Sequence, residues 1–304
     1  MAAEVQRVIL GKPETIERAI LALLCNGHIL LEDIPGVGKT TLSKALARTI
    51  GGEFRRIQFT PDLLPADITG TSVFNQKTME FVFREGPIFG NVVLADEINR
   101  ATPKTQAALL EAMEERQVTT DGTTRKLPDP FFVIATQNNV ELTGTYPLPE
   151  AQLDRFFAKL SIGYPDRATE IEILKSQQTQ HPIEAVQQVV SPHELKEMQG
   201  AVREIYVHDS IRDYIVSIVS ATRETNQILL GASPRGSLLL MQAAQAHAAF
   251  HGKEFVRPDD VKMMASSVLA HRVIPRADLR SRGVEVDELI ETLVDGVRAP
   301  VPVA

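Results

Sequence analysis

Pro35-Gly36-Val37-Gly38-Lys39-Thr40-Thr41 brings two glycines, a lysine and two hydroxyls together in an order that suits a polyphosphate. Glycines let backbone N–H groups approach an anion, and the positive end of a following helix would face the same charge. Lys39 would reach the β- and γ-phosphates of a nucleoside triphosphate, and the Thr40 hydroxyl would ligate Mg²⁺. The slot where the phosphate-loop consensus has its first glycine holds Asp33. An ordinary turn could also carry Gly-Lys-Thr. What selects the phosphate loop is the apolar run Ile29-Leu30-Leu31 before it and the helix opened after it, with Leu42, Ala45 and Leu46 inward.

Asp96 and Glu97 close a second apolar run, Val92-Val93-Leu94-Ala95. The carboxyl end of a buried strand is where α/β sheets place ligands. Asp96 would hold Mg²⁺ through its water shell, and Glu97 would polarise an attacking water as a base. A plain helix cap is the alternative for such a pair. Asn138, after the strand at Phe131–Ala135, either positions water against a γ-phosphate or serves a turn. Arg155 is either half of a surface ion pair or a finger delivered to a neighbouring subunit's γ-phosphate. Arg235 opens a later helix and faces either phosphate or solvent. Arg100 is open in the same way, to an intersubunit cleft or to an ion pair that stabilises a ring.

These groups need strands and helices to hold them. Thr15–Leu24 carries a helical apolar stripe, and the bend Val8-Ile9-Leu10-Gly11 before it either lines an adenine pocket or merely packs. Phe54–Phe59 alternates like a strand, and Leu160-Ser161-Ile162 is expected to be the last one. Thr102 should cap a helix begun by Pro103, Asp166 should cap another, and Asp121-Gly122 marks a hairpin within Gln117–Lys126. Thr60–Gly90 is broken by prolines and glycines into a long excursion. In it Val73-Phe74 should pair with Phe81-Val82-Phe83 around the tip Asn75–Glu80, with Phe74, Phe81 and Phe83 stapling the hairpin from inside.

The pattern changes between His181-Pro182 and Ser191-Pro192, after which only helices are expected: near 192–204, 209–225, 234–251, 258–269 and 286–297. The expected fold is α/β: a phosphate-loop domain over residues 1–190 with a parallel sheet between helices, then a small all-α domain over 191–304.

Composition narrows the function further. At 304 residues, 43% hydrophobic and 23% charged, the chain has ample core for about two domains. A net charge of -7 and 5% aromatics argue against a nucleic-acid partner, which wants a basic footprint and stacking platforms. Cys25 stands alone and is expected to be a buried thiol. The histidines (His28, His181, His193, His208, His247, His251, His271) show no ligand spacing, so no zinc site is expected. Without a signal peptide or an apolar run long enough to span a bilayer, the expected compartment is the cytoplasm.

The strings GVGKT, LADEINRA, ATQN, LPEAQLDRF and GASPRG, in this order, resemble the MoxR family of AAA+ ATPases, in the helix-2-insert group; the likeness runs from about Val8 to at least Ile274. It implies ATP and Mg²⁺ as ligands and ATP hydrolysis as the reaction. Lys39 and Thr40 then correspond to Walker A, Asp96 and Glu97 to Walker B, Asn138 to sensor 1, Arg155 to the arginine finger and Arg235 to sensor 2. Residues of about 60–90 match the helix-2 insert, and Gln117–Lys126 the pre-sensor 1 hairpin. Asn139 stands where the family pattern has proline. The resemblance further implies a homo-oligomeric, hexameric ring, a chaperone-like remodelling or maturation role, and a von Willebrand factor A domain protein as partner. A chelatase-type motor subunit, a nucleic-acid motor and a nucleotide-gated scaffold are the rival readings.

Overall fold

Continuous apolar runs are buried on both faces of a parallel sheet, and the chain uses them so. The computed structural model describes residues 1–138, 144–178, 182–281 and 283–300. Asn139 and His181 fall outside these. The chain divides into two compact units: Met1–Ile20 with His28–Arg155 and Leu160–Lys196, and Leu21–Gly27 with Phe156–Lys159 and Glu197–Ala304.

After α1 (Ala2–Gln6) and α2 (Pro13–Leu24) come β1 (Ile29–Glu32), α3 (Lys39–Thr49) and β2 (Phe54–Gln58). The excursion follows as α4 (Pro65–Thr69), β3 (Gly70–Asn75) and β4 (Glu80–Glu85). Then come β5 (Val92–Asp96), α5 (Pro103–Glu115), the hairpin β6 (Gln117–Thr120) and β7 (Thr123–Lys126), and β8 (Phe132–Gln137). The order of the main sheet is β2-β5-β8-β1 and then β9 (Ala158–Leu160), with β2–β5, β5–β8 and β8–β1 paired in parallel. Val92–Ala95, Phe132–Ala135 and Ile29–Leu31 are buried throughout, so burial of three central strands fixes where β1 and β5 end. Those ends carry the phosphate loop and the acidic pair.

His28 is held as a neutral ring inside this unit. Its Nδ1 accepts the Val133 N–H at 3.0 Å, which leaves Nε2 to donate to the Met113 carbonyl at 3.1 Å. Burial, and next the charge of Arg116, lower its pKa to about 3.

The excursion forms the expected hairpin, with Val73 opposite Val82 and Phe74 opposite Phe81. Its base is tight: a Cβ on Gly86 would run into the Ile68 carbonyl. The aromatic staple is only partly as expected. Phe83 packs on Phe89 and under the Arg125 guanidinium, 3.8 Å from its ring centre, but Phe81 is 73% exposed. A two-stranded ribbon has no third layer to cover both faces of its tip. Ser72 Oγ also donates to Asp121 at 2.5 Å, tying this hairpin to the β6–β7 turn.

The last strand lies two residues earlier than expected, at Ala158–Leu160 rather than at Leu160–Ile162. The physical reason is that the Ile162 and Gly163 N–H groups go to the Asp33 carboxylate instead of a strand partner. After the short α6 (Glu150–Leu153), Asp166 caps α7 (Arg167–Ser176) as foreseen, with the Thr169 N–H on its carboxylate at 2.7 Å. Thr102 is the cap residue of α5, but its hydroxyl meets Thr105 Oγ1 at 3.2 Å rather than a backbone N–H.

The second unit holds α8 (Pro192–Glu204), α9 (Asp209–Glu224), α10 (Pro234–Phe250), α11 (Pro258–Leu269), α12 (Ala277–Ser281) and α13 (Val286–Gly296). It also holds a ribbon that the helices-only expectation lacked: β10 (Ile228–Leu230) pairs antiparallel with β11 (Ile274–Pro275). Segments of two and three residues show no period. Asp260, wholly buried at the start of α11, accepts from His247 Nδ1 (2.7 Å), Lys253 Nζ (2.5 Å) and the Arg257 N–H (2.8 Å). Burial pushes its pKa up, but these donors together outweigh burial and bring it to about 2. Cys25, half-buried, places its thiol 3.3 Å from the Gln242 carbonyl, and burial pushes its pKa up.

Candidate nucleotide site

The phosphate loop turns through two left-handed glycines, Gly36 at φ 86° and Gly38 at φ 99°, and Gly38 is the residue that caps α3. A Cβ on Gly36 would meet nothing within 4 Å, so its positive φ rather than crowding is what calls for glycine there. Lys39, first residue of the helix, donates from Nζ to the Asp33 carbonyl at 2.7 Å. Burial lowers its pKa, and the negative charges of Asp33, Asp96 and Glu97 act in the opposite direction. Lys39 opens α3 after β1, and Asp96 ends β5, two strands of one parallel sheet with β8 between them.

A cavity of about 270 Å³ adjoins the loop. Val8, Ile9 and Leu10 line it from one side and Ile162, Gly163 and Ile173 from another, while Gly36, Val37, Gly38 and Thr41 form the phosphate end. Apolar walls beside a phosphate cradle suit a nucleobase. The Val8–Leu10 bend lines this cavity.

The acidic pair sits in a closed set of hydrogen bonds that the sequence did not reveal. Thr136, buried on β8, donates its hydroxyl to Asp96 Oδ1 at 2.7 Å and accepts the Glu97 N–H at 2.8 Å. Arg56 on β2 reaches Asp96 Oδ2 at 2.6 Å and Gln58 Oε1 at 2.8 Å; Gln58 Nε2 in turn donates to Glu97 Oε2 at 2.9 Å. Glu97 itself is left-handed, φ 58° and ψ 50°, which swings its side chain out of strand alternation. Arg100 pairs with it at 3.1 Å through Nε.

Asn138 is buried one residue past β8, its carbonyl accepting from Asn99 Nδ2 at 3.4 Å. Arg155 lies against Glu114 of α5, Nε to Oε2 3.2 Å. Arg235 is exposed in the first turn of α10, in the second unit.

The donor set fits Mg²⁺ with a triphosphate. Thr40 offers a hydroxyl in the first turn of α3, and each Asp96 oxygen, though already holding Thr136 or Arg56, keeps a further lone pair for a metal-bound water.

Comparison with known proteins follows the same lines. Residues 28–158 match the family described as ATPases associated with various cellular activities (AAA), and residues 220–293 match the AAA lid domain. The Bacillus subtilis protein YeaC is 52% identical over 98% of this chain and 93% of its own length. Chaperone MoxR1 of Mycobacterium tuberculosis is 42% identical over 98% of this chain and 81% of its own. A solved Cytophaga hutchinsonii structure, described as a candidate ATPase, superposes with a TM-score of 0.91 at 40% identity, covering 98% of this chain and 93% of that one.

Proposed function

Because this chain belongs to the MoxR family of AAA+ ATPases, we propose that it hydrolyses ATP to ADP and phosphate as one subunit of a hexameric homo-oligomeric ring that remodels or matures partner proteins. The observation that carries this reading is the placement of the glycine loop and Lys39 after β1 and of Asp96-Glu97 at the carboxyl end of β5, two strands of one parallel sheet with β8 between them.

The triphosphate would lie on the backbone from Pro35 to Thr41, with Lys39 leaving the Asp33 carbonyl for the β- and γ-phosphates. Thr40 and, through water, Asp96 would hold Mg²⁺, which when bound offsets phosphate charge. Glu97 takes the proton of the attacking water; the water oxygen bonds to the γ-phosphorus as the bond to the β–γ bridging oxygen breaks. Asn138 orients that water. Arg155 of a neighbouring subunit and Arg235 spread the charge that develops on the γ-phosphate.

Residues 1–190 would form the ATPase domain, with the insert at about 60–90, and residues 191–304 the lid. A relative named as a chaperone supports the remodelling role, and the family likeness supports a von Willebrand factor A domain partner. Among the described residues no helix is long and apolar enough to cross a membrane, and the compartment we propose is the cytoplasm. The test is ATP binding and steady-state phosphate release with and without Mg²⁺, on the parent and on Lys39→Ala. Release that needs Mg²⁺ and binding that fails in Lys39→Ala are expected. Equal release by both proteins would overturn the reading.

A further inference from the structure

Asp33 occupies the slot where a phosphate loop ordinarily has its first glycine, and the structure gives that side chain a definite task. It is 9% exposed and sits at the turn out of β1. Its Oδ1 accepts the Gly163 N–H at 3.1 Å and the Ser161 hydroxyl at 3.2 Å, while Oδ2 accepts the Ile162 N–H. One carboxylate therefore collects three donors from a segment more than a hundred residues away in sequence. Ile162 and Gly163 are wall residues of the 270 Å³ cavity, and the loop that Asp33 opens forms the cavity's phosphate end.

The same wall is held from its other side by α2 and the bend before it. Thr15 Oγ1 donates to the Ser161 carbonyl at 3.0 Å and Lys12 Nζ to the Tyr164 carbonyl at 2.8 Å. Neither of those contacts involves the phosphate loop. Asp33 joins the two ends of the cavity, and it does so with a short two-bond side chain. A glycine at this position would leave the buried Ile162 N–H without this acceptor.

We propose, building on the nucleotide-binding reading, that Asp33 is a positioning residue that sets the distance between the phosphate loop and the wall against which the base rests. Base and triphosphate contacts are then made together rather than one at the expense of the other. Loss of the strut weakens the contribution of the base and leaves that of the phosphates.

The experiment compares two probes, ATP and inorganic triphosphate, by calorimetric titration of the full chain as parent, Asp33→Asn and Ser161→Ala. The asparagine keeps the shape but turns an NH₂ toward a backbone donor; the alanine removes one of three donors. The parent should bind ATP at least about tenfold more tightly than triphosphate. In Asp33→Asn that ratio should fall by about tenfold while the triphosphate affinity stays within about threefold of the parent. Ser161→Ala should lower the ratio by a smaller factor, and it decides alone if Asp33→Asn does not fold.

Parallel weakening of both ligands in the variants, or an unchanged ratio, overturns the strut while leaving ATP binding in place. A parent that binds neither probe overturns the nucleotide reading and the strut with it.

Discussion

Thr136 Oγ1 lies 2.7 Å from Asp96 Oδ1, a bond from the interior of one strand to the acidic end of its neighbour. Because the same oxygen accepts the Glu97 N–H, the hydroxyl uses its donor and its acceptor at once. Thr136→Val removes both and should lower turnover by about 10–100-fold, as loss of a group that orients metal ligands does, and should raise the Mg²⁺ concentration needed for half-maximal rate. Thr136→Ser keeps both functions and should restore most of the rate. Equal rates for Val and Ser would show that the two bonds of the hydroxyl do not matter to turnover.

Glu97→Gln keeps the size of the side chain and its contact with Gln58 but takes away the base. ATP affinity should stay near the parent value while turnover falls by roughly 10²–10⁴-fold. Single-turnover phosphate release separates the two quantities, and a near-parental rate would leave Glu97 a structural role only.

Arg155 is held by Glu114 of its own chain in the isolated subunit, so service to a neighbour's phosphate requires it to leave that pair. Mixed rings of Arg155→Ala and Glu97→Gln subunits should recover part of the activity that each lacks alone. Such mixtures pair a sound Glu97 with a sound neighbouring Arg155. Rings that form and yet show no recovery would count against the finger.

The β3–β4 tip is assigned to partner contact, with Met79 at 72% and Phe81 at 73% exposed. Replacing Gln76, Lys77 and Met79 together with Ser should spare basal hydrolysis and ring formation and abolish partner-stimulated turnover. Collapse of the basal rate in the same variant would mean the hairpin serves the ring.

Stability should fall with acid in a window set by His28. Its pKa is lowered from 6.5 to about 3 in the fold, so the unfolded chain binds the extra proton first. The favourable term is complete above 6.5 and is lost progressively as pH drops toward 3, at about 1.4 kcal/mol per pH unit. His271, lowered by burial and then by Arg272, acts with the same sign. Denaturant titrations between pH 7 and 5 should show a steeper loss for the parent than for His28→Gln, and matching slopes would refute the assignment.

The parts of the site legible in sequence are those whose chemistry is local. Pro35–Thr41 declares itself because seven adjacent residues together carry the pattern that suits a polyphosphate, and Asp96-Glu97 because a wholly apolar run precedes it. What escaped is held across the sheet. Arg56, Gln58 and Thr136 act on residues some forty positions away, and Asp33 on residues about 130 away, so no spacing betrays them. The fold followed the same rule. Buried strands and long helices announced their ends to within a residue or two, whereas β9 shifted because Asp33 claims the N–H groups after it, and the β10–β11 ribbon was too short for alternation.

Glu97 stands at φ 58°, where a side chain with Cβ costs about 1–2 kcal/mol and glycine or asparagine costs much less. Glu97→Asn and Glu97→Gly relieve that cost and should melt later, while on the proposed reading both lower turnover. Replacement libraries at this position ranked by heat resistance alone should therefore enrich Asn and Gly, the forms that on the proposed reading lack the base.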